Sequence, residues 1–255
     1  MMKKRKESVV MNMIHMLGAI IFVALFLIFS LPIIGLEYLY EKVNKKRADI
    51  TSLRIVQWAF RMVLLICGTN VIVKGEENVI TDEPVLYIGN HRSFFDTVIG
   101  YSRCPNLTGF ISKDVIKKVP ILNLWMERLY CLFLDRSNTR DGLRVVLTSI
   151  EYIKKGISIY VFPEGTRTRT GEMSPFKEGT FKIASKTGCP IIPVAFSNTE
   201  DIFEGHFPWI KKTTAVIHYG KPIYPNELEG DDKKHLGAYT QRAIAEMLEE
   251  DKDLY

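Results

Sequence analysis

The sequence predicts an α/β protein: a mixed, largely buried sheet flanked by helices, preceded by an N-terminal membrane-associated helical segment. Three observations predict it. Short β-branched runs alternate with helical stretches from about residue 70 onward, 29 residues between Glu7 and Glu37 carry no Asp, Glu, Lys or Arg, and 47% of the 255 residues are apolar, enough for a sizeable core.

The uncharged stretch lies between Lys3, Lys4, Arg5 and Lys6 on one side and Lys42, Lys45, Lys46 and Arg47 on the other. As a straight helix it would run about 43 Å, beyond the ~30 Å of a bilayer's hydrocarbon, so it has length to tilt or turn back. Pro32 and Gly35 mark where it would break. It exceeds the ~7–15 residue apolar region of a signal peptide and reads as a retained anchor. The whole positive excess sits here: residues 1–65 hold 10 Lys and Arg against 4 Asp and Glu, leaving 24 against 25 for the rest. Basic residues that bracket a membrane-length segment suit anionic lipid head groups, so no nucleic-acid partner is expected.

In residues 51–68, Arg54, Gln57 and Arg61 form one polar stripe on an apolar helix. Such a helix would lie in the membrane interface with its arginines reaching the head groups, or else be a buried helix of the following domain. The expected organisation is an anchor over 1–69 and a catalytic domain over 70–255. Cys67, Cys104, Cys131 and Cys189 show no paired spacing and read as reduced thiols, placing the domain on the cytoplasmic side of the membrane.

Strands are expected at 71–74, 85–89, 131–134, 157–162, 191–196 and 213–220. Helices are expected from Thr139 to Lys155, before Gly188, and from Asp232 to Glu250. Two strand exits carry unusual chemistry, and strand ends are where such sheets bind ligands. The first is NHRSFFD, residues 90–96. A neutral His91 can take a proton from an alcohol if Asp96, in the first turn of a helix entered at Ser93, fixes its tautomer. The same letters also spell a capping box, Ser93 to Asp96, with His91 a bystander. The second exit is PEGTRTRTG, residues 163–171. Its turn offers backbone N–H groups and Arg167 to an anion, with Arg169 and Lys177 nearby. An ion pair between Arg167 and Glu164 is the competing reading.

Together the two blocks, with FPEGTR beginning 72 residues after Asn90, resemble the 1-acylglycerol-3-phosphate acyltransferases among the glycerolipid acyltransferases. Asn90, His91, Ser93 and Asp96 match the first block, NHxSxxD, and Phe162 to Arg167 the third, FPEGTR. Lys113, Pro120 and Arg136 are similar to the second, and Ile192, Pro193 and Val194 to the fourth. A glycine usually follows the proline of the second block, and Ile121, Leu122, Asn123 and Leu124 stand here instead.

The resemblance implies acyl transfer from acyl-CoA or acyl carrier protein to the 2-hydroxyl of lysophosphatidate, giving phosphatidate. His91 and Asp96 would be catalytic, and Lys113, Arg136, Glu164, Gly165, Thr166 and Arg167 would bind substrate. Membrane lipids and the acyl donor are the partners, with no cofactor and no metal. Glycerol-3-phosphate or another lysophospholipid is the alternative acceptor. The rival classes are a metal-dependent phosphohydrolase, using His91, Asp96 and Glu164 as ligands, and a non-catalytic lipid-binding protein.

Overall fold

The structure, a computed structural model, describes residues 2–168 and 172–255, with the backbone alone before Val9. In chain order it comprises α1 (Met2–Phe29), α2 (Leu31–Glu41), α3 (Lys45–Ile66), β1 (Asn70–Lys74), β2 (Leu86–Gly89), α4 (Phe94–Tyr101), β3 (Thr108–Lys113), α5 (Leu122–Arg128), β4 (Leu132–Leu134), α6 (Thr139–Lys154), β5 (Ser158–Val161), α7 (Lys182–Thr187), β6 (Ile191–Ser197), β7 (Thr214–Tyr219), α8 (Gly230–Lys234) and α9 (Leu236–Glu250).

The strands form one sheet in the order β1-β7-β6-β2-β5-β3-β4, parallel throughout except between β6 and β7. Strand alternation feeds two cores. Tyr87, Phe110, Tyr160, Val194 and Phe196 face α3, α4 and α5, while Leu86, Ile88, Ile159, Val161 and Ala195 face α6, α7 and α9. Pro193, which lacks an N–H, sits one residue before the ladder with β7 starts at Val194. The expected mixed α/β sheet is present, with one strand more than the sequence pattern gives. TGFISK of β3 has no continuous apolar run, yet it lies between β5 and β4. Gly109 is required there, because a Cβ would stand 2.2 Å from the Tyr130 carbonyl oxygen.

In α1, Val9–Phe29 has a mean hydropathy of 2.3 and only 6% of its most apolar stretch is buried, so by length and composition it is a candidate membrane span. Its 21 residues reach about 31 Å at ~1.5 Å each. The helix breaks at Ser30, and Pro32 falls in the first turn of α2, where its missing N–H costs nothing. The Trp125 indole N–H of α5 donates to the Ser30 hydroxyl at 2.9 Å, fixing the break against the domain.

One part of the interfacial reading of α3 requires correction, the direction in which its polar stripe points. Its polar stripe faces protein: Gln57 donates to the carbonyls of Tyr101 and Cys104, at 3.0 and 2.7 Å, Arg61 to that of Ser102 and Arg54 to that of Pro105, both at 3.0 Å. These carbonyls lie at the C-terminal end of α4 and in the turn that follows it, where cations and donors are attracted. Leu53, Val56, Val63 and Leu64 enter the same core as Phe95, Val98 and Ile99 of α4. Arg128 of α5, 5% exposed, reaches Glu41 of α2 at 2.8 Å and Asp49 of α3 at 3.0 Å. The division expected at residue 69 therefore runs between elements that share one core.

Candidate active site

Because β2, β3, β4, β5 and β6 run parallel, their C-terminal ends open on one edge of the sheet. His91 and Asp96 follow β2, the 164–167 turn follows β5, Lys113 ends β3, and Arg136 lies just beyond β4. Gly89 makes the first exit passable, since a Cβ there would press on the rings of Phe162 at 3.0 Å and Phe196 at 3.1 Å.

At the β2 exit the capping box and the dyad are one structure. Asp96 Oδ2 accepts from His91 Nδ1 at 2.9 Å, Arg92 N at 2.7 Å and Ser93 N at 2.8 Å. Ser93, the N-cap of α4, accepts from Phe95 N at 3.0 Å. The other carboxylate oxygen accepts from the Thr199 hydroxyl beyond β6. Asp96 is completely buried. With Oδ2 acting as an acceptor, Nδ1 of His91 carries the proton and Nε2 keeps its lone pair, the tautomer a general base needs. The imidazole also stacks on Phe162, with centroids 4.2 Å apart and planes 10° apart. Asn90 ties this exit to β6, accepting from Phe196 N at 2.8 Å and donating to Phe196 O at 3.0 Å.

Glu164, expected among the substrate-binding residues, is 4% exposed and joins the two exits. Its Oε1 accepts from His91 N at 2.6 Å, and its Oε2 from Ser174 N at 2.9 Å and from the Thr168 hydroxyl. Thr168 N in turn donates to His91 O at 2.8 Å. Gly165 turns the chain at φ 79°, and a Cβ there would meet Lys177 Nζ at 2.8 Å. Thr166 and Arg167 are exposed. The Arg167–Glu164 ion pair is not formed; Arg167 Nη1 instead meets Glu204 Oε1 at 2.6 Å. Arg169 lies outside the described residues.

Lys113 ends the second strand from β2 and Arg136 follows the third, strands that lie roughly 10 and 14 Å from β2 at ~4.8 Å per strand. The structure thus joins His91, Asp96, Glu164 and Arg167 through hydrogen bonds and leaves these two cations to the side. Between them lies the departure from the family's second block. Pro120, Ile121 and Leu122 form a tight turn, with Leu122 N donating to Pro120 O at 2.7 Å and Ile121 at φ 66°. A β-branched residue is strained in that conformation and glycine is not.

The acyltransferase family model matches residues 70–197, which include both exits and β6. The chain belongs to the acyltransferase family. It is 30% identical over 209 residues to the 1-acyl-sn-glycerol-3-phosphate acyltransferase of Saccharomyces cerevisiae, covering 78% of this chain and 67% of that protein. It is 28% identical over 200 residues to the Borreliella burgdorferi enzyme of the same name, covering 78% and 79%. A chloroplastic relative from Brassica napus is 34% identical over 161 residues, 62% of this chain; the match spans 46% of that relative's length. In fold the chain resembles the crystal structure of the 1-acyl-sn-glycerophosphate acyltransferase from Thermotoga maritima, with a TM-score of 0.81 at 22% identity over 95% of this chain and 97% of that one.

In this acyltransferase, Thr199, Glu204 and the stacking role of Phe162 escape a reading of the sequence. Thr199 and Glu204 follow β6 without any motif, and only the strand order shows that this exit borders β2. Burial pushes the thiols of Cys67, Cys104 and Cys131 up to about 12 and that of Cys189 to about 11, so none is a thiolate nucleophile at neutral pH.

Proposed function

We propose that this acyltransferase moves a fatty acyl group from acyl-CoA or acyl carrier protein to the 2-hydroxyl of 1-acylglycerol-3-phosphate, forming phosphatidate. The supporting observation is that an imidazole set as a base and a guanidinium suited to phosphate lie on one sheet edge, linked through Ser93 and Glu204. Nε2 of His91 takes the hydroxyl proton as the oxygen attacks the thioester carbonyl. Asp96 stabilises the imidazolium that forms. When the tetrahedral intermediate collapses, the C–S bond breaks and the thiolate leaves, taking its proton from His91. A thiol with a pKa near ~8.5 is a good leaving group, so neither a covalent enzyme intermediate nor a cofactor is needed. Every carboxylate oxygen of Asp96 and Glu164 is already met by N–H or O–H donors, which suits an orienting role and not ligation of a cation.

Arg167 binds the acceptor phosphate, with Lys113 and Arg136 serving the more distant parts of the two substrates. The exposed apolar length of α1 holds the protein in the bilayer where acceptor and product reside, with the catalytic edge facing the cytoplasm. The test is acyl transfer by the purified full-length protein in lipid vesicles, offered lysophosphatidate, glycerol-3-phosphate and lysophosphatidylcholine with each donor. Phosphatidate formation is expected to predominate. Acylation of glycerol-3-phosphate alone, or release of inorganic phosphate from lysophosphatidate, overturns the assignment.

A further inference from the structure

Glu204, in the short turn Glu204–His206 after β6, belongs to no motif, yet its carboxylate lies between the two blocks. Oε2 accepts the Ser93 hydroxyl proton at 2.6 Å, and Oε1 accepts from Phe94 N at 2.9 Å and Arg167 Nη1 at 2.6 Å. Ser93 Oγ also accepts from Phe95 N, so its single proton is committed to Glu204. The loop that carries Glu204 is itself fixed. Ile202 is fully buried, and Asp201 meets the His206 ring at 2.7 Å and Lys211 Nζ at 2.8 Å.

Arg167, by contrast, is an exposed side chain on a glycine turn. Untethered, it would populate many rotamers, and ordering it on each binding event would cost affinity. We propose that Glu204 is a positioning residue for the acceptor: it holds Arg167 beside the N-terminus of α4 and leaves the guanidinium's remaining N–H groups to grip the phosphate at a fixed reach from His91. A guanidinium has five N–H donors, and one of its nitrogens is spent on Glu204. Ser93 thereby acquires a role in the reaction without touching substrate, as the anchor of that carboxylate.

The inference rests on Arg167 binding the acceptor phosphate, and its test separates the two claims. In vesicle assays Glu204→Ala is expected to raise KM for lysophosphatidate about tenfold, the loss of one charge-assisted hydrogen bond, with kcat and donor KM changed less than about twofold. Glu204→Gln keeps an acceptor oxygen and is expected to recover most of that loss at the same Tm, which a merely structural role would not produce. If the alanine variant does not fold, Glu204→Asp, which keeps the charge on a shorter arm, is read by the same acceptor KM and should raise it. An unchanged or lowered acceptor KM overturns the positioning role, as does an equal loss for both substrates. Should Arg167→Ala itself leave acceptor KM unchanged, the phosphate assignment fails instead.

Discussion

The β2 and β5 exits carry the two halves of the site and are built in opposite ways. At β2 the working group is immobilised: His91 is hydrogen-bonded to a fully buried carboxylate and stacked on a ring. At β5 the buried residue is the clasp, Glu164, and the cation of the candidate site, Arg167, lies beyond it at 45% side-chain exposure, held by Glu204. The difference fits the proposed roles: burial fixes the imidazole, whose geometry a proton transfer would require within hydrogen-bond reach. Arg167, proposed to meet the acceptor's phosphate, keeps access to solvent.

The largest effect that could break this comparison comes from the fixed exit. His91→Ala should lower kcat by about 10²–10⁴ while leaving acceptor KM near its original value, measured by steady-state acyl transfer. A variant that keeps its turnover but binds acceptor poorly would exchange the roles of the two exits. A smaller effect tests the clasp. Glu164→Gln keeps one acceptor oxygen but sets an N–H donor against buried N–H or O–H donors, so Tm should fall by roughly 4–8 °C in a thermal melt, with kcat falling alongside it as the clasp between the exits loosens. An unchanged Tm would mean that the exits do not depend on Glu164 to stay joined.

Much of this was legible in the sequence where one physical signal dominated. The β-branched runs gave six of the strands; in β2, β5 and β6 burial on both faces leaves little room for other residues. The His91–Asp96 spacing admitted two readings, a cap or a dyad, and neither excludes the other, since a carboxylate oxygen can accept from several donors at once. Residues 51–68 were legible as an amphipathic helix but not in their partner: a stripe of two arginines and a glutamine suits lipid head groups and helix-end carbonyls alike, and only the placement of α4 decides between them. β3 was hidden by its glycine and serine, and the close approach of Tyr130 explains the glycine. Thr199 and Glu204 could not be found because their contacts with Asp96 and Ser93 depend on β6 lying beside β2 across more than a hundred residues of chain.

The most direct measurement is kcat/KM of Arg167→Ala against 1-acylglycerol-3-phosphate and against its phosphate-free counterpart, 1-acylglycerol, each relative to the unsubstituted protein. The account predicts a loss of about 10–100-fold for the phosphate-bearing acceptor, carried in KM, and little change for the neutral one. Equal losses for both acceptors, or none for either, would contradict the claim that a base and a cation on one sheet edge act on the same molecule.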